Sequence, residues 1–372
     1  MAAAKSKRKP KAEAAAALAK AVNATPRPRV VVLHGVDVDL AHGRPADALA
    51  VQAGLTAAQS IHDACARCGF DVSMLPAADP LVVLGALRET APDAVFQLVE
   101  SVLGEARNEA AIAGLLELAG LRYTGSQPAA LTLALDKWRT KAVLRAHGIP
   151  TPMAILLERG DEPLAGLRMP VIVKPVREDA SHGIDAGSVT SDPETARRRA
   201  RELISQYRQP ALIEEFVQGR EFNVAILDGI PSGDPDEPAD LQVLPLAEID
   251  FAALPQGRPH VVTFAAKWDE SSPDWRGTPV IAARPMSAST EQAIYDIAKR
   301  AYRAIGLRSY GRIDLRLAGD RGPFVLEVNP NPDLSPDAGF ARAAERAGLS
   351  HDALVERILR VALGPSPAAD RS

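Results

Sequence analysis

The sequence predicts a protein of mixed class, α/β in its first third and strand-rich α+β beyond. Three observations carry this. Strand-like and helix-like segments alternate as β-α-β-α-β between residues 29 and 119, the order of a doubly wound parallel sheet. Gly148-Ile149-Pro150-Thr151-Pro152 then stops the helical pattern, because each proline disfavours helix in the residue before it. Finally, Gly311-Arg312-Ile313-Asp314-Leu315-Arg316-Leu317 and Pro323-Phe324-Val325-Leu326-Glu327-Val328-Asn329 alternate apolar with polar residues around the turn Ala318-Gly319-Asp320-Arg321-Gly322. That is the signature of an antiparallel hairpin.

In order, the first third reads as a buried strand at 30–33, a helix over 45–68, a strand at 71–75, a helix at 81–89, a strand at 94–98 and a helix at 108–119. Tyr123-Thr124-Gly125-Ser126 is a loop and 129–147 a single helix. The next segment offers a strand over 170–175 ending in Lys174, a glycine-containing loop at 178–187, a helix at 192–206 and a strand at 211–216. Strands at 222–227 and 241–249 flank a Pro/Asp/Gly-rich stretch, 228–240, that reads as a tolerated surface insertion. A helix at 291–305 leads into the hairpin, and one at 351–363 closes the chain.

The 372 residues, 47% hydrophobic and 24% charged, fit two or three soluble domains. A net charge of −4 argues against a nucleic-acid binder as a whole. No apolar run is long enough for a membrane helix and no secretory signal is visible, so the cytoplasm is the expected location. Residues 1–28 are rich in Ala, Lys and Arg and are expected to be a disordered basic tail, solubilising rather than nucleic-acid-binding. Cys65 and Cys68 form the only Cys-x-x-Cys. A structural zinc site cannot be completed from them and His62, so they read as two helix residues rather than a redox pair.

The hairpin carries the chemistry. With its turn centred on Asp320 and Arg321, Ile313, Leu315, Leu317, Phe324, Leu326 and Val328 form one apolar face. Arg312, Asp314, Arg316, Glu327 and Asn329 project from the other, with Asp314 directly across from Glu327. Facing carboxylates about 5 Å apart at Cβ repel unless a proton or cation lies between them. Two readings stand: Asp314, Glu327 and Asn329 hold Mg²⁺ through hard oxygen ligands, or the face is solvated and Arg312 and Arg316 neutralise the acids. Upstream, Lys174 ends a buried strand and the small-residue loop Glu178-Asp179-Ala180-Ser181-His182-Gly183-Ile184 offers backbone amides to phosphate. Singly, each also reads as ordinary surface chemistry.

In combination these motifs resemble the ATP-grasp superfamily and, within it, the D-alanine–D-alanine ligase-like enzymes. The resemblance runs from Ala94 to Leu363. It rests on Tyr123-Thr124-Gly125-Ser126, Leu135-Asp136-Lys137-Trp138-Arg139-Thr140-Lys141, the Gly148 to Pro152 break, Val173-Lys174-Pro175, Glu214-Glu215-Phe216-Val217-Gln218-Gly219-Arg220-Glu221, Gly311-Arg312-Ile313-Asp314 and Leu326-Glu327-Val328-Asn329. It implies an N-terminal doubly wound parallel sheet, 29–126, followed by a two-lobed ATP-grasp domain with a central lobe at 127–217 and a metal-binding lobe at 218–363, then a tail at 364–372.

By the same resemblance, Lys137, Lys174, Glu178 and Ser181 would serve the nucleotide phosphates, and Glu214, Glu215, Phe216, Val217 and Glu221 the adenosine. Asp314, Glu327 and Asn329 would hold Mg²⁺, with Mn²⁺ as an alternative. Lys267, in a mobile loop over 264–276, would close on the γ-phosphate, and Arg312 would sit beside the reacting carbonyl. Ser181 stands next to Ala180, which takes the place of a loop serine that orients a substrate-binding glutamate. That glutamate is itself missing from His34-Gly35-Val36-Asp37-Val38-Asp39, where Asp37 or Asp39 could substitute. Glu100 and Glu109 are candidates for the amino end of the first substrate, Glu109 equally for a helix-dipole role. Asp333 occupies the place of a glycine in the turn that receives the second substrate's carboxylate, which favours a cationic acceptor.

The implied activity is an ATP- and Mg²⁺-dependent carboxylate–amine ligase working through an acyl phosphate, with a place in making a peptidoglycan precursor. The partners implied are small amino acids or amines and a second copy of the chain, without nucleic acid or membrane. The alternatives are a ligase for a different amino acid or amine and a nucleotide-binding regulator without turnover.

Overall fold

The computed structural model describes residues 27–37, 41–44, 48–229 and 240–364. Nearly all of the basic tail, Asp39, most of the predicted 228–240 insertion and the C-terminal tail lie outside the described residues.

Strands β1 (Arg29–His34), β2 (Asp71–Pro76) and β3 (Ala94–Leu98) form a parallel sheet of order β2-β1-β3. Val31, Leu33 and Val95 face the helices Pro80–Thr90 and Glu109–Leu118, while Val30, Val32 and Phe96 face the helix Ala48–Arg67. Both faces are apolar because both are covered. The C-terminal helix His351–Leu363 completes this second face with Leu354, Val355, Ile358 and Leu359, and Arg67 forks onto the Asp352 carboxylate at 2.7 and 2.9 Å. Cys65 is buried and Cys68 donates to the Asp352 carbonyl, as helix-side residues would.

The second layer has strand order β4-β7-β5-β6, from β4 (Ala154–Leu157), β5 (Val171–Pro175), β6 (Val189–Thr190) and β7 (Ala211–Glu215), backed by the helix Pro193–Tyr207. The third is antiparallel, built from β8 (Arg220–Asp228), β9 (Leu241–Val243), β10 (Ala247–Ile249), β11 (Val280–Ala282), β12 (Tyr310–Leu317) and β13 (Pro323–Asn329), in the order β11-β10-β8-β12-β13 with β9 beside β8. Its apolar face packs Phe222, Val224, Ile226, Ile313, Leu315, Val325 and Val328 against the helix Ala288–Ile305. At Gly219, with φ +152°, an added Cβ would stand 2.0 Å from the Leu317 carbonyl oxygen, so only glycine lets the chain enter β8 this close to β12.

Three expectations need correction. The single helix over 129–147 is two helices, Pro128–Leu135 and Lys137–Ala146, broken at Asp136, which adopts extended backbone and caps the second by accepting from Arg139 N. The strand at 241–249 is interrupted at Pro245, which has no amide to give a ladder. In the hairpin, Asp314 does pair with Glu327 and Arg312 with Asn329, but the register then slips and Leu315 pairs with Val325. Leu326 is the extra residue of a β-bulge. Val325 therefore fills the core, fully buried, while Leu326 turns to the opposite face and Phe324 lies under the Arg321 guanidinium.

The bulge separates two neighbouring residues by energy. Val325→Ala should lower unfolding free energy by about 2 kcal/mol and Leu326→Ala by clearly less, as read by urea denaturation.

Candidate active site

Period two puts the polar side chains of β8, β12 and β13 on one face of the third sheet: Glu221 and Asn223, then Arg312, Asp314 and Arg316, then Glu327 and Asn329. That face closes, together with Lys174 of β5 and Glu214 of β7, a cleft of about 250 Å³ between the second and third layers. Of the residues expected to act, Lys174, Ser181, Glu214, Glu215, Phe216, Val217, Glu221, Lys267, Arg312, Asp314 and Glu327 line it.

Cations and carboxylates alternate along the cleft. Arg312 donates two hydrogen bonds to Asp314, Nε to Oδ1 at 2.8 Å and Nη2 to Oδ2 at 2.9 Å, and Asn223 Nδ2 donates to Oδ1 at 2.7 Å. Lys137, the first residue of its helix, lies buried behind the lining with its ammonium 2.7 Å from Glu327 Oε1 and 3.4 Å from Asp179. Burial works against the Glu327 charge, but Lys137, Lys174 and Lys267 hold its carboxyl down to about 2. Arg312 thus neutralises Asp314, as one of the two readings of the hairpin required, whereas Arg316 points elsewhere and Glu327 is neutralised by Lys137 instead.

Glu214 is 2% exposed and bridges two lysines, with Lys174 Nζ and Lys141 Nζ each 2.7 Å away. Although burial opposes its ionisation, these two ammonium groups hold its carboxyl below the usual range. Lys141 itself is pushed down to about 8 by burial, against the pull of Glu214. Sequence reasoning assigned Lys141 no role; its signal was the i, i+4 spacing from Lys137, which puts both on one side of the helix.

Several expected residues are turned away. Glu178 accepts from Gln209 Nε2 at 2.8 Å and faces the His182 ring at 3.2 Å, and offers its backbone carbonyl to Lys137. Its side chain therefore supports the loop rather than facing the cleft. The Glu215 carboxylate is forked by Arg168 on the outer side. Ser181, at φ +61°, donates to the Val262 carbonyl at 3.0 Å. With Phe264 N donating to Ile184 O and Trp268 Nε1 to Ala180 O, it docks the 180–184 loop onto the segment expected to close. That segment folds as two short helices, Phe264–Trp268 and Pro273–Gly277. Lys267 leaves the first of them toward Arg312, Glu327 and Asp314; burial, then Arg312, lowers its pKa.

Glu100, Glu109 and Asp333 lie outside the lining. Glu100 is exposed at the end of β3, and the surrounding protein, with Asp333 and Asp179 adding their charge, pushes its carboxyl up to about 7. Glu109 is buried at the start of its helix and accepts from Asn331 Nδ2 at 3.1 Å. Asn331 N in turn donates to Asn329 Oδ1 at 2.9 Å, so Glu109 supports the end of β13. Asp333 is exposed and accepts from Ser335 N in a tight turn. Asp37 accepts from Ser101 Oγ at 2.6 Å and Gly104 N at 3.0 Å through one oxygen, tying down the 101–104 loop.

The donor set of Asp314, Glu327 and Asn329, two carboxylates and an amide oxygen meeting at one hairpin end, fits a hard cation that keeps several waters. Among the described residues no three His, Cys, Asp or Glu side chains come together as a group that could hold a metal ion, so this set rests on two carboxylates and the Asn329 amide.

A family model described as D-ala D-ala ligase C-terminus matches residues 143–360. The chain is 34% identical over 284 residues to a D-alanine–D-alanine ligase of Chromohalobacter salexigens, spanning 76% of this chain and 81% of that protein. It is 32% identical over 336 residues to D-alanine–D-alanine ligase B of Pseudomonas putida, spanning 89% and 92%. It is also 34% identical over 268 residues to an uncharacterized protein of Sinorhizobium fredii, spanning 72% and 74%. The crystal structure of a D-alanine–D-alanine ligase from Bacillus anthracis complexed with ATP shares the fold at TM-score 0.68 and 18% identity, over 90% of this chain and 97% of that one. By its family match and by identity to full-length relatives, the chain belongs to the ATP-grasp ligases of the D-alanine–D-alanine ligase family.

Proposed function

We propose that this ATP-dependent ligase joins the carboxylate of one small amino acid to the amine of a second through an acyl phosphate, with D-alanine as the substrate its relatives' names point to. The observation that carries the reading is a single cleft holding Lys174, Lys267 and Arg312 together with the facing carboxylates Asp314 and Glu327. Such a cleft supplies positioning and charge, the two things phosphoryl transfer needs.

Phe216, Val217 and Glu221 form the adenosine end, and Lys137, Lys174 and the 180–184 loop the phosphate end. Asp314, Glu327 and Asn329 would hold Mg²⁺, or Mn²⁺ in its place, which supplies neutralisation of the phosphate charge. Lys137 and Arg312 exchange their carboxylate partners for phosphate and for the oxyanion that develops at the substrate carbonyl. Lys267 enters with the 264–268 helix, and the docked lid excludes water, to which an acyl phosphate would be lost. The protein is further proposed to act in the cytoplasm as a homodimer; no helix among the described residues is long and apolar enough to cross a membrane.

A second reading concerns the acceptor. Asp333 stands close enough to Glu100 to raise its pKa, so the acceptor end carries negative charge that a free carboxylate would meet with repulsion. A cationic amine fits there better than a zwitterion. ADP release with Mg²⁺-ATP, compared between D-alanine and a panel of other amino acids and polyamines, decides: dipeptide from D-alanine alone supports the first reading, and stimulation only by a polyamine replaces it.

Arg312→Met should lower product formation by at least about 100-fold while ATP still binds, as followed by coupled ADP assay and calorimetry. Asp314→Asn should raise the Mg²⁺ concentration needed for half-maximal turnover; an unchanged metal dependence would sink the metal assignment. Glu100, with its carboxyl at about 7, is neutral below that pH and anionic above it. If it receives the first substrate's ammonium, KM for that substrate should rise as pH falls from about 8 to about 6, and Glu100→Gln should flatten the profile.

A further inference from the structure

Arg316 belongs to none of these roles, yet it is among the most elaborately held side chains in the molecule. It is 2% exposed, and Nε and Nη2 both donate to Glu221, at 2.8 and 2.6 Å. Nη1 donates to the Val217 carbonyl at 2.7 Å, and Nη2 also to the carbonyl of His260. Its guanidinium lies 4.6 Å from the centre of the Phe216 ring and 5.7 Å from that of Phe251. One cation therefore fastens together the 216–217 connection between β7 and β8, Glu221 at the start of β8, and the segment that leads into the lid.

A buried arginine costs heavily in desolvation unless every donor is matched, and here the fork is matched from three directions. The way it takes Glu221 is informative. Both nitrogens converge on Oε2, and Oε1 takes no donor among the described residues while the residue lines the cleft. A carboxylate fixed by one oxygen presents the other as a preorganised acceptor, suited to vicinal hydroxyls.

We propose that Arg316 is the positioning residue of the adenosine end, holding Glu221 with Oε1 turned to the ribose, so that preference for a nucleotide bearing both ribose hydroxyls depends on a side chain that does not touch it. This rests on the reading that ATP enters the cleft with adenosine at Glu221.

The test is equilibrium binding of ATP and of 2′,3′-dideoxy-ATP, each with Mg²⁺, to the full-length protein by calorimetry, which needs no knowledge of the amino-acid substrates. The wild-type protein should bind ATP at least about tenfold more tightly than the dideoxy nucleotide. Arg316→Met should bring that ratio close to one. Arg316→Lys, which keeps the buried charge without the planar fork, should leave it reduced. A ratio that survives in Arg316→Met, with both nucleotides weakened equally, overturns the proposal, because a merely structural role acts on both alike. Thermal melting by circular dichroism establishes whether each variant folds. Should Arg316→Met not fold, Glu221→Gln decides, since a ratio undiminished there also overturns it. Equal binding of the two nucleotides by the wild-type protein defeats this inference alone; binding of neither defeats the ATP reading and the inference with it.

Discussion

The arrangement of this molecule follows from one constraint: Asp314 and Glu327 face each other across a hairpin and must be compensated. The compensating charges come from different layers. Arg312 is two residues from Asp314 on the same strand, whereas Lys137 reaches Glu327 from a helix that precedes the second layer, and Lys267 approaches from the lid. Each cation is placed by a separate element, so the second and third layers and the lid are drawn to one cleft by the same electrostatic need. The apolar side of the third sheet, packed on the helix Ala288–Ile305, makes this arrangement rigid. Charge fills one side and hydrocarbon the other, with a change of side at every residue.

A second principle is support from behind. Few of the groups facing the cleft are held only by themselves. Glu214 lies between Lys174 and Lys141, Glu221 under Arg316, and Asn329 beneath Asn331, which is itself gripped by Glu109 and the Tyr310 hydroxyl. These partners fix the orientation of the groups in front of them, which is what preorganisation of a polar site requires. They also account for buried polar residues that would otherwise be unexplained costs in a packed interior.

Local periodicity made much of this legible. The β-α-β-α-β order fixed the parallel layer, and alternation in 311–329 placed Asp314 opposite Glu327. What it did not show were the interruptions of a period: Pro245 marks the break in 241–249, and the other two carry neither proline nor glycine. Val325-Leu326 continues an apolar run through the bulge, and Leu135-Asp136-Lys137 carries helical spacing through a break that only the capping geometry of Asp136 reveals. Pairings between distant segments were equally hidden. Arg316 reads as one more polar residue of a strand until β8 brings Glu221 beside it, and Glu178 reads as a cleft residue until Gln209 and His182 turn it aside.

The C-terminal helix has a consequence for how the chain comes into being. Leu354, Val355, Ile358 and Leu359 supply part of the cover for Val30, Val32 and Phe96, which are synthesised some three hundred residues earlier. As the polypeptide emerges from the ribosome, the first sheet can pair its strands and cover one face, but the other face stays incomplete until the helix His351–Leu363 has been made. The layer made first thus waits on a helix made late, and the part of its apolar face that this helix covers stays open while the second and third layers are being synthesised.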